Sequence, residues 1–175
     1  IALIPGATEH GLSTDRVIRT IGRGESEVLN RHILFADTDI GASLDELAML
    51  APNLKHVALV ATWFGDDLRA GACEIYPAVT ATDTTLSGTG WAVSGLTGAT
   101  ARTVSQHGGG AAYGGTPSDR SVIQAIQAIK ARGWKVTLYP FVMMDVPPGN
   151  GLPDPHGGDE QAAYPWRGRI TCYPG

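Results

Sequence analysis

Thr116-Pro117-Ser118-Asp119-Arg120-Ser121-Val122-Ile123-Gln124-Ala125-Ile126-Gln127-Ala128-Ile129-Lys130-Ala131-Arg132-Gly133, followed at once by Trp134-Lys135-Val136-Thr137-Leu138-Tyr139, is the stretch whose reading decides the fold. Thr116 is the expected N-cap and Pro117 the first helical residue. Asp119 supplies an acid in the first turn, where the helix dipole favours negative charge. Val122, Ile123, Ile126 and Ile129 recur at three- and four-residue spacing and predict one apolar stripe. Lys130 and Arg132 suit the C-terminal end, and Gly133 supplies a left-handed cap. A strand then opens at Lys135 and continues through Phe141-Val142-Met143.

Outward from this unit, His56-Val57-Ala58-Leu59-Val60-Ala61-Thr62-Trp63-Phe64 is apolar on both faces rather than alternating. Such a run reads as a strand in a parallel sheet covered by helices. Strand, helix, strand with a short second connection predicts a right-handed crossover between parallel strands. Pro140 is the discordant residue, because it cannot donate to a ladder. It is expected near the end of its strand, where pairing runs out.

Residues 1–42 show no sustained periodicity and read as an irregular lead-in, with short strands near 16–21 and 32–36. Ser43-Leu44-Asp45-Glu46 has the form of a capping box and predicts a helix over 44–50, ended by Pro52. Leu44, Leu47, Met49 and Leu50 are its expected buried side. The segment 65–116 is too long for a structureless loop in a compact domain. Short strands at 73–76 and 91–94 are expected there as a hairpin. Gly and Pro crowd 147–168 and predict a long surface loop.

Composition narrows the function classes. Charged residues make up 17% and hydrophobic residues 43% of the 175, which excludes disorder and coiled coil. A net charge of −4, with no block of Lys or Arg, gives no footprint for nucleic acid or an anionic membrane. No apolar run approaches the roughly 20 residues of a membrane span, and no signal peptide is visible. The chain opens at Ile1, which suggests a segment of a longer polypeptide. Cys73 and Cys172 fit neither a disulfide framework nor a zinc site. One long-range disulfide and two unrelated thiols both remain open. The five histidines share no ligand spacing, so no metal and no cofactor is expected. The glycine run ending at Gly115 lacks the Gly-Lys-Ser/Thr of a phosphate loop. No Gly-x-Ser-x-Gly elbow is present.

The unit from Gly114-Gly115-Thr116-Pro117-Ser118-Asp119 to Val136-Thr137-Leu138-Tyr139-Pro140-Phe141 resembles a β/α unit of TIM-barrel glycoside hydrolases. Ala2-Leu3-Ile4-Pro5-Gly6, Gly24-Glu25-Ser26-Glu27-Val28-Leu29-Asn30-Arg31-His32, Trp63-Phe64-Gly65-Asp66-Asp67-Leu68-Arg69 and Tyr164-Pro165-Trp166-Arg167-Gly168-Arg169-Ile170-Thr171 sharpen the likeness. Together they resemble the glycoside-hydrolase TIM-barrel-like domain of the large baseplate (megatron, or hub) protein of gene transfer agents and of related phage tail-tip proteins. The resemblance implies an α/β fold, the first β/α units of a (β/α)8 barrel. Residues 1–52 would be the lead-in with a short helix. Residues 53–175 would be the N-terminal part of the barrel-like domain, carrying a hairpin insertion and continuing beyond the chain.

It also implies a virion component at a DNA-delivery tail tip, assembled in the bacterial cytoplasm and acting at the recipient surface. Its partners would be other baseplate and tail-tip proteins, further copies of itself in a trimeric hub, and cell-envelope glycans. The open alternative is an active hydrolase of peptidoglycan or capsule, with its catalytic carboxylates outside this segment. Composition alone is also compatible with an unrelated cytosolic α/β enzyme. In the barrel reading Asp66, Asp67 and Asp145 lie at the C-terminal ends of strands, the face where such sites form. Two opposed carboxylates would make a glycosidase, but adjacent ones cannot easily flank one bond. The alternative is that one of Asp66 and Asp67 caps a turn and the other pairs with Arg69, itself a candidate groove residue. Trp63, Trp166 and Arg167 complete the candidate glycan groove, with packing as their other reading. No catalytic residue can be assigned.

Overall fold

The computed structural model describes residues 1–6, 8–82, 86–87, 90–165 and 170–172. In chain order the elements are β1 (Ala2–Leu3), β2 (Ile18–Gly22), β3 (Glu25–Val28), α1 (Asp39–Leu50), β4 (His56–Gly65), β5 (Ile75–Tyr76), β6 (Ala78–Val79) and β7 (Leu86–Ser87). There follow β8 (Ala92–Val93), β9 (Leu96–Thr97), β10 (Arg102–Thr103), β11 (Gln106–His107), β12 (Gly110–Ala111), α2 (Asp119–Ala131) and β13 (Lys135–Met144).

The two long apolar runs pair as their composition predicts. β13 lies parallel to β4 over ten residues, from Lys135 opposite His56 to Met144 opposite Gly65. β1 adds a short parallel strand on the far side of β4. α2 packs against this sheet. Ala125 and Ile129 are fully buried with Val57, Leu59, Leu12, Ile40, Leu44 and Trp134, and Val122 and Ile126 pack at the edge of the cluster. Ile123 is 55% exposed, so the stripe is narrower than the spacing predicts.

The expected (β/α)8 TIM-barrel-like α/β fold is not what the chain adopts. Two short helices stand against a set of mostly two-residue strands divided among five small sheets, and no sheet closes into a barrel among the described residues. Closure requires every strand to have two neighbours along its length. Here β1 offers only two residues to β4, and the outer edge of β13 meets no strand among the described residues. The rest of the chain goes into antiparallel ribbons, β3-β2-β7, β8-β9 and β11-β12, and a parallel β10-β6 pair. The hairpin expected between 73–76 and 91–94 is replaced as well. β5 turns back antiparallel onto the end of β4, and β8 pairs with β9.

Pro140 finds its explanation in register rather than at a strand end. Lys135 and Asp145 both donate their N–H to carbonyls of the β4 chain, Lys55 and Gly65, at 2.9 and 2.8 Å. N–H groups alternate sides along a strand, so odd-numbered residues of β13 face β4 and even-numbered ones face the open edge. Pro140 is even. Its missing donor falls on the unpaired edge, where proline is tolerated in a sheet.

The helix caps also move. Ser118, not Thr116, caps α2, its Oγ accepting from the Ser121 N–H at 3.1 Å. Pro117 keeps the residue before it extended, and the helix begins two positions later. Gly133 takes the expected left-handed conformation, φ +78°. α1 starts at Asp39 under Thr38, whose Oγ1 accepts from Gly41 N–H at 3.4 Å. Ser43 therefore lies exposed inside the helix. Met49 and Leu50 are 82% and 76% exposed, against expectation.

The lead-in is ordered by one side chain. Asn30, buried, accepts from Val17 N–H (2.9 Å) and donates Nδ2 to the carbonyls of Ser13 (3.0 Å) and Asp15 (2.9 Å). The β2–β3 hairpin covers part of the strand expected at 16–21. The strand expected at 32–36 is a loop, with Arg31 donating to the carbonyls of Leu34 and Ala36.

Candidate functional site

Asp66 and Asp145 each follow directly on the last register pair of the long strands, Gly65 with Met144. Both carboxylates therefore arrive at the same end of the sheet, on neighbouring strands about 4.8 Å apart. Tyr76 stands near both, brought there because β5 pairs Tyr76 with Phe64. Burial first, and then the charges of Asp145 and Asp66, push the Tyr76 hydroxyl well above the ordinary phenol range. Tyr113 responds in the same way, pushed up to about 12 by burial and then by Asp145 and Tyr164. Its hydroxyl donates to the Met144 carbonyl at 3.0 Å.

Asp145 is 5% exposed. Its Oδ2 accepts from the Ser105 N–H at 3.0 Å, while Oδ1 has no hydrogen-bond partner among the described residues. Buried polar atoms are nearly always paired, so this oxygen retains capacity for a donor. Asp66 is more open. It accepts from Glu74 N–H (2.8 Å) and from Arg102 Nη1 (3.2 Å). Arg102 also bonds Glu74 at 2.5 Å and lies 4.4 Å from the centre of the Tyr76 ring. Such a cation–π contact adds to the ion pairs in fixing that guanidinium.

Asp67 serves a different purpose. It is buried, and Arg69 binds it in a fork, Nε at 3.0 Å and Nη2 at 2.5 Å, with a third bond from the Arg69 N–H at 2.8 Å. Gln161, also buried, donates to Asp67 at 2.8 Å and accepts from Leu68 N–H at 2.8 Å. Arg69 above all holds the Asp67 carboxyl down, at about 2, against the opposing effect of burial. A carboxylate held ionised by four hydrogen bonds has no proton to offer near neutral pH, which suits a structural joint.

Of the sequence candidates, the structure brings Asp66 and Asp145 together and assigns Asp67 and Arg69 to a separate joint. Trp63 is half-buried and packs against Val79, Trp91, Val93 and Ala101, away from the carboxylates. Trp166 and Arg167 lie outside the described residues. Sequence reasoning missed Tyr76, Glu74, Arg102 and the ring series from Phe64 through Tyr113 and Tyr164 to His107. Those ring centres are 6.0, 6.0 and 5.3 Å apart in turn. Apart from Phe64, these residues come from two-residue strands and loops, which carry no periodicity to read. The open face of the sheet adds a cleft of about 630 Å³, lined by Val60, Thr62, Tyr139, Phe141 and Met143 among others. Met143, which lines the cleft, also packs against the buried Phe64 cluster, as do Tyr76 and Tyr113.

No group of acidic, histidine or cysteine side chains among the described residues has the arrangement of a metal site. Among the described residues no helix is long and apolar enough to cross a membrane. No family model matches the chain, and no curated protein matches it.

Proposed function

We propose that this chain is a structural and adhesive part of a phage-like tail tip or baseplate hub of the gene-transfer-agent type, contacting glycan of the bacterial envelope during DNA delivery. Its neighbours in the particle are other tail-tip proteins and further copies of itself. The observation that supports glycan contact is the arrival of Asp66 and Asp145 beside Tyr76 at one end of the sheet, whose open face carries an aromatic-lined cleft. Sugar rings stack on aromatic faces, and their hydroxyls donate to carboxylates. The same observation argues against cleavage at this spot, since a glycosidase sets its two carboxylates on opposite sides of the scissile bond. Asp66 and Asp145 approach from one side, and Asp67 is consumed by Arg69.

The test is retention of the chain on purified peptidoglycan and on capsular polysaccharide, together with release of reducing sugar. Binding without release is expected. Asp66→Asn, at a half-buried position, and Arg102→Ala, at an exposed one, should weaken retention roughly tenfold each, the scale of one lost charge-assisted hydrogen bond. Sugar release by the chain would favour the hydrolase alternative. Absence of retention on every envelope glycan would remove the adhesive role.

A further inference from the structure

The loop after β4 and the C-terminal segment meet through backbone. Thr171 donates its N–H to the Leu68 carbonyl at 2.8 Å and accepts from the Ala70 N–H at 2.9 Å, a parallel bridge opposite Arg69. Cys172 is one residue beyond that bridge, and Cys73 is tied back to it, its N–H donating to the Arg69 carbonyl at 3.0 Å. Side chains alternate along an extended segment. Ile170 packs on the cluster of Leu68, Met144 and Val146, so Cys172, two residues on, leaves the backbone on the same side. Cys73 packs on that cluster too. Two cysteines 99 positions apart in sequence thus converge on one apolar patch, one half-buried and one exposed.

We propose that Cys73 and Cys172 form an intramolecular disulfide when the protein meets a small-molecule disulfide oxidant. The exposed Cys172 thiolate attacks one sulfur of the oxidant, forming a mixed disulfide and expelling one small thiolate, which takes up the proton that Cys172 lost. The Cys73 thiolate then attacks the Cys172 sulfur, closing the protein disulfide and releasing the second small thiol. Two protein thiols give up two electrons and two protons, and one oxidant molecule becomes two thiols. Such exchange depends on access and on which sulfur is attacked, and here the accessible thiol starts and the sheltered one finishes. Closure needs the two Cα atoms within about 7 Å, and it would latch 170–172 over Leu68, Met144 and Val146. The inference is independent of the proposed function.

The full chain, folded, is exposed to oxidised glutathione, quenched with acid, digested without reduction and read by mass spectrometry. A peptide pair joining Cys73 to Cys172 in the monomer is expected as the main product. The same treatment in urea should lower the yield of that pair at least about tenfold, because only the fold supplies the high effective concentration. Cys172→Ser should abolish the pair without disturbing the buried cluster. Glutathione held stably on Cys172 with Cys73 unmodified, disulfide-linked dimers as the main product, or equal yields folded and unfolded would each overturn the proposal.

Discussion

Ala78 and Thr116 exchange two hydrogen bonds across 38 residues. The Ala78 N–H donates to Thr116 Oγ1 at 3.1 Å, and the Thr116 N–H donates to the Ala78 carbonyl at 2.7 Å. Trp91 Nε1 adds a bond of 2.7 Å to the Thr116 carbonyl. Thr116 therefore joins β6, the Trp91 turn and the approach to α2. The residue before it must lack a side chain, since a Cβ at Gly115 would meet the Ala78 carbonyl at 2.9 Å.

Thr116→Val should test this joint with little change of shape. It leaves the buried Ala78 N–H without its acceptor and should cost about 1–3 kcal/mol. Urea unfolding of the two proteins side by side measures it. Equal midpoints would show that the hydroxyl contributes nothing.

Acid should act through Asp67. Its carboxyl titrates at about 2 in the folded chain against an ordinary 3.8. A depressed folded value means the contribution is complete above about pH 4 and is lost as the pH falls towards 2. Its size is of the order of 2 kcal/mol. Asp67→Asn should be less stable than the parent at pH 7, with a gap that closes near pH 2. A gap independent of pH would sink the ion-pair account.

Asn30→Ala should loosen the lead-in at a cost of about 1–3 kcal/mol, through the bonds it makes to Ser13, Asp15 and Val17. Asn30→Asp should cost more, because a carboxylate would then face two carbonyl oxygens. Hydrogen exchange at Val17 reports the change directly. Identical exchange in all three proteins would contradict the role assigned to this side chain.

On α2 the two isoleucines nearest each end of the stripe should behave oppositely. Ile129→Ala, at a fully buried site, should cost about 2–5 kcal/mol. Ile123→Asp, at an exposed one, should stay within about 0.5 kcal/mol of the parent. Thermal unfolding distinguishes them. A large loss at Ile123 would mean that the outer face of α2 is covered.

The parallel pair and its helix were legible because their signals are long. Residues 57–61 are apolar at every position, and the interior of α2 repeats over three turns. That no barrel closes among the described residues was not legible from this pattern, since one strand–helix–strand unit is compatible with many sheets. The ribbons between Gly65 and Thr116 pair only two residues at a time, and nothing in so short a run favours one partner over another. Capping failed for a related reason: Thr116 and Ser118 both offer a hydroxyl, and the backbone restriction imposed by Pro117 decides between them. At the candidate site, Asp66 and Asp145 could be found because they end long strands. Tyr76 and Arg102 could not, because only the turn of β5 onto β4 and the pairing of β10 with β6 bring them there.

The placement of Pro140 bears on how this protein behaves when concentrated. β13 presents ten residues of open edge, rich in Val, Leu, Tyr and Phe, the kind of border on which chains template fibrils. A strand docking there would face a rung with no donor at its middle and would have to leave an acceptor unmatched. The proline costs the native sheet nothing, since it faces outward, and it taxes only the intruder. Replacing it with valine would restore the rung and turn a soluble border into a seed for polymerisation.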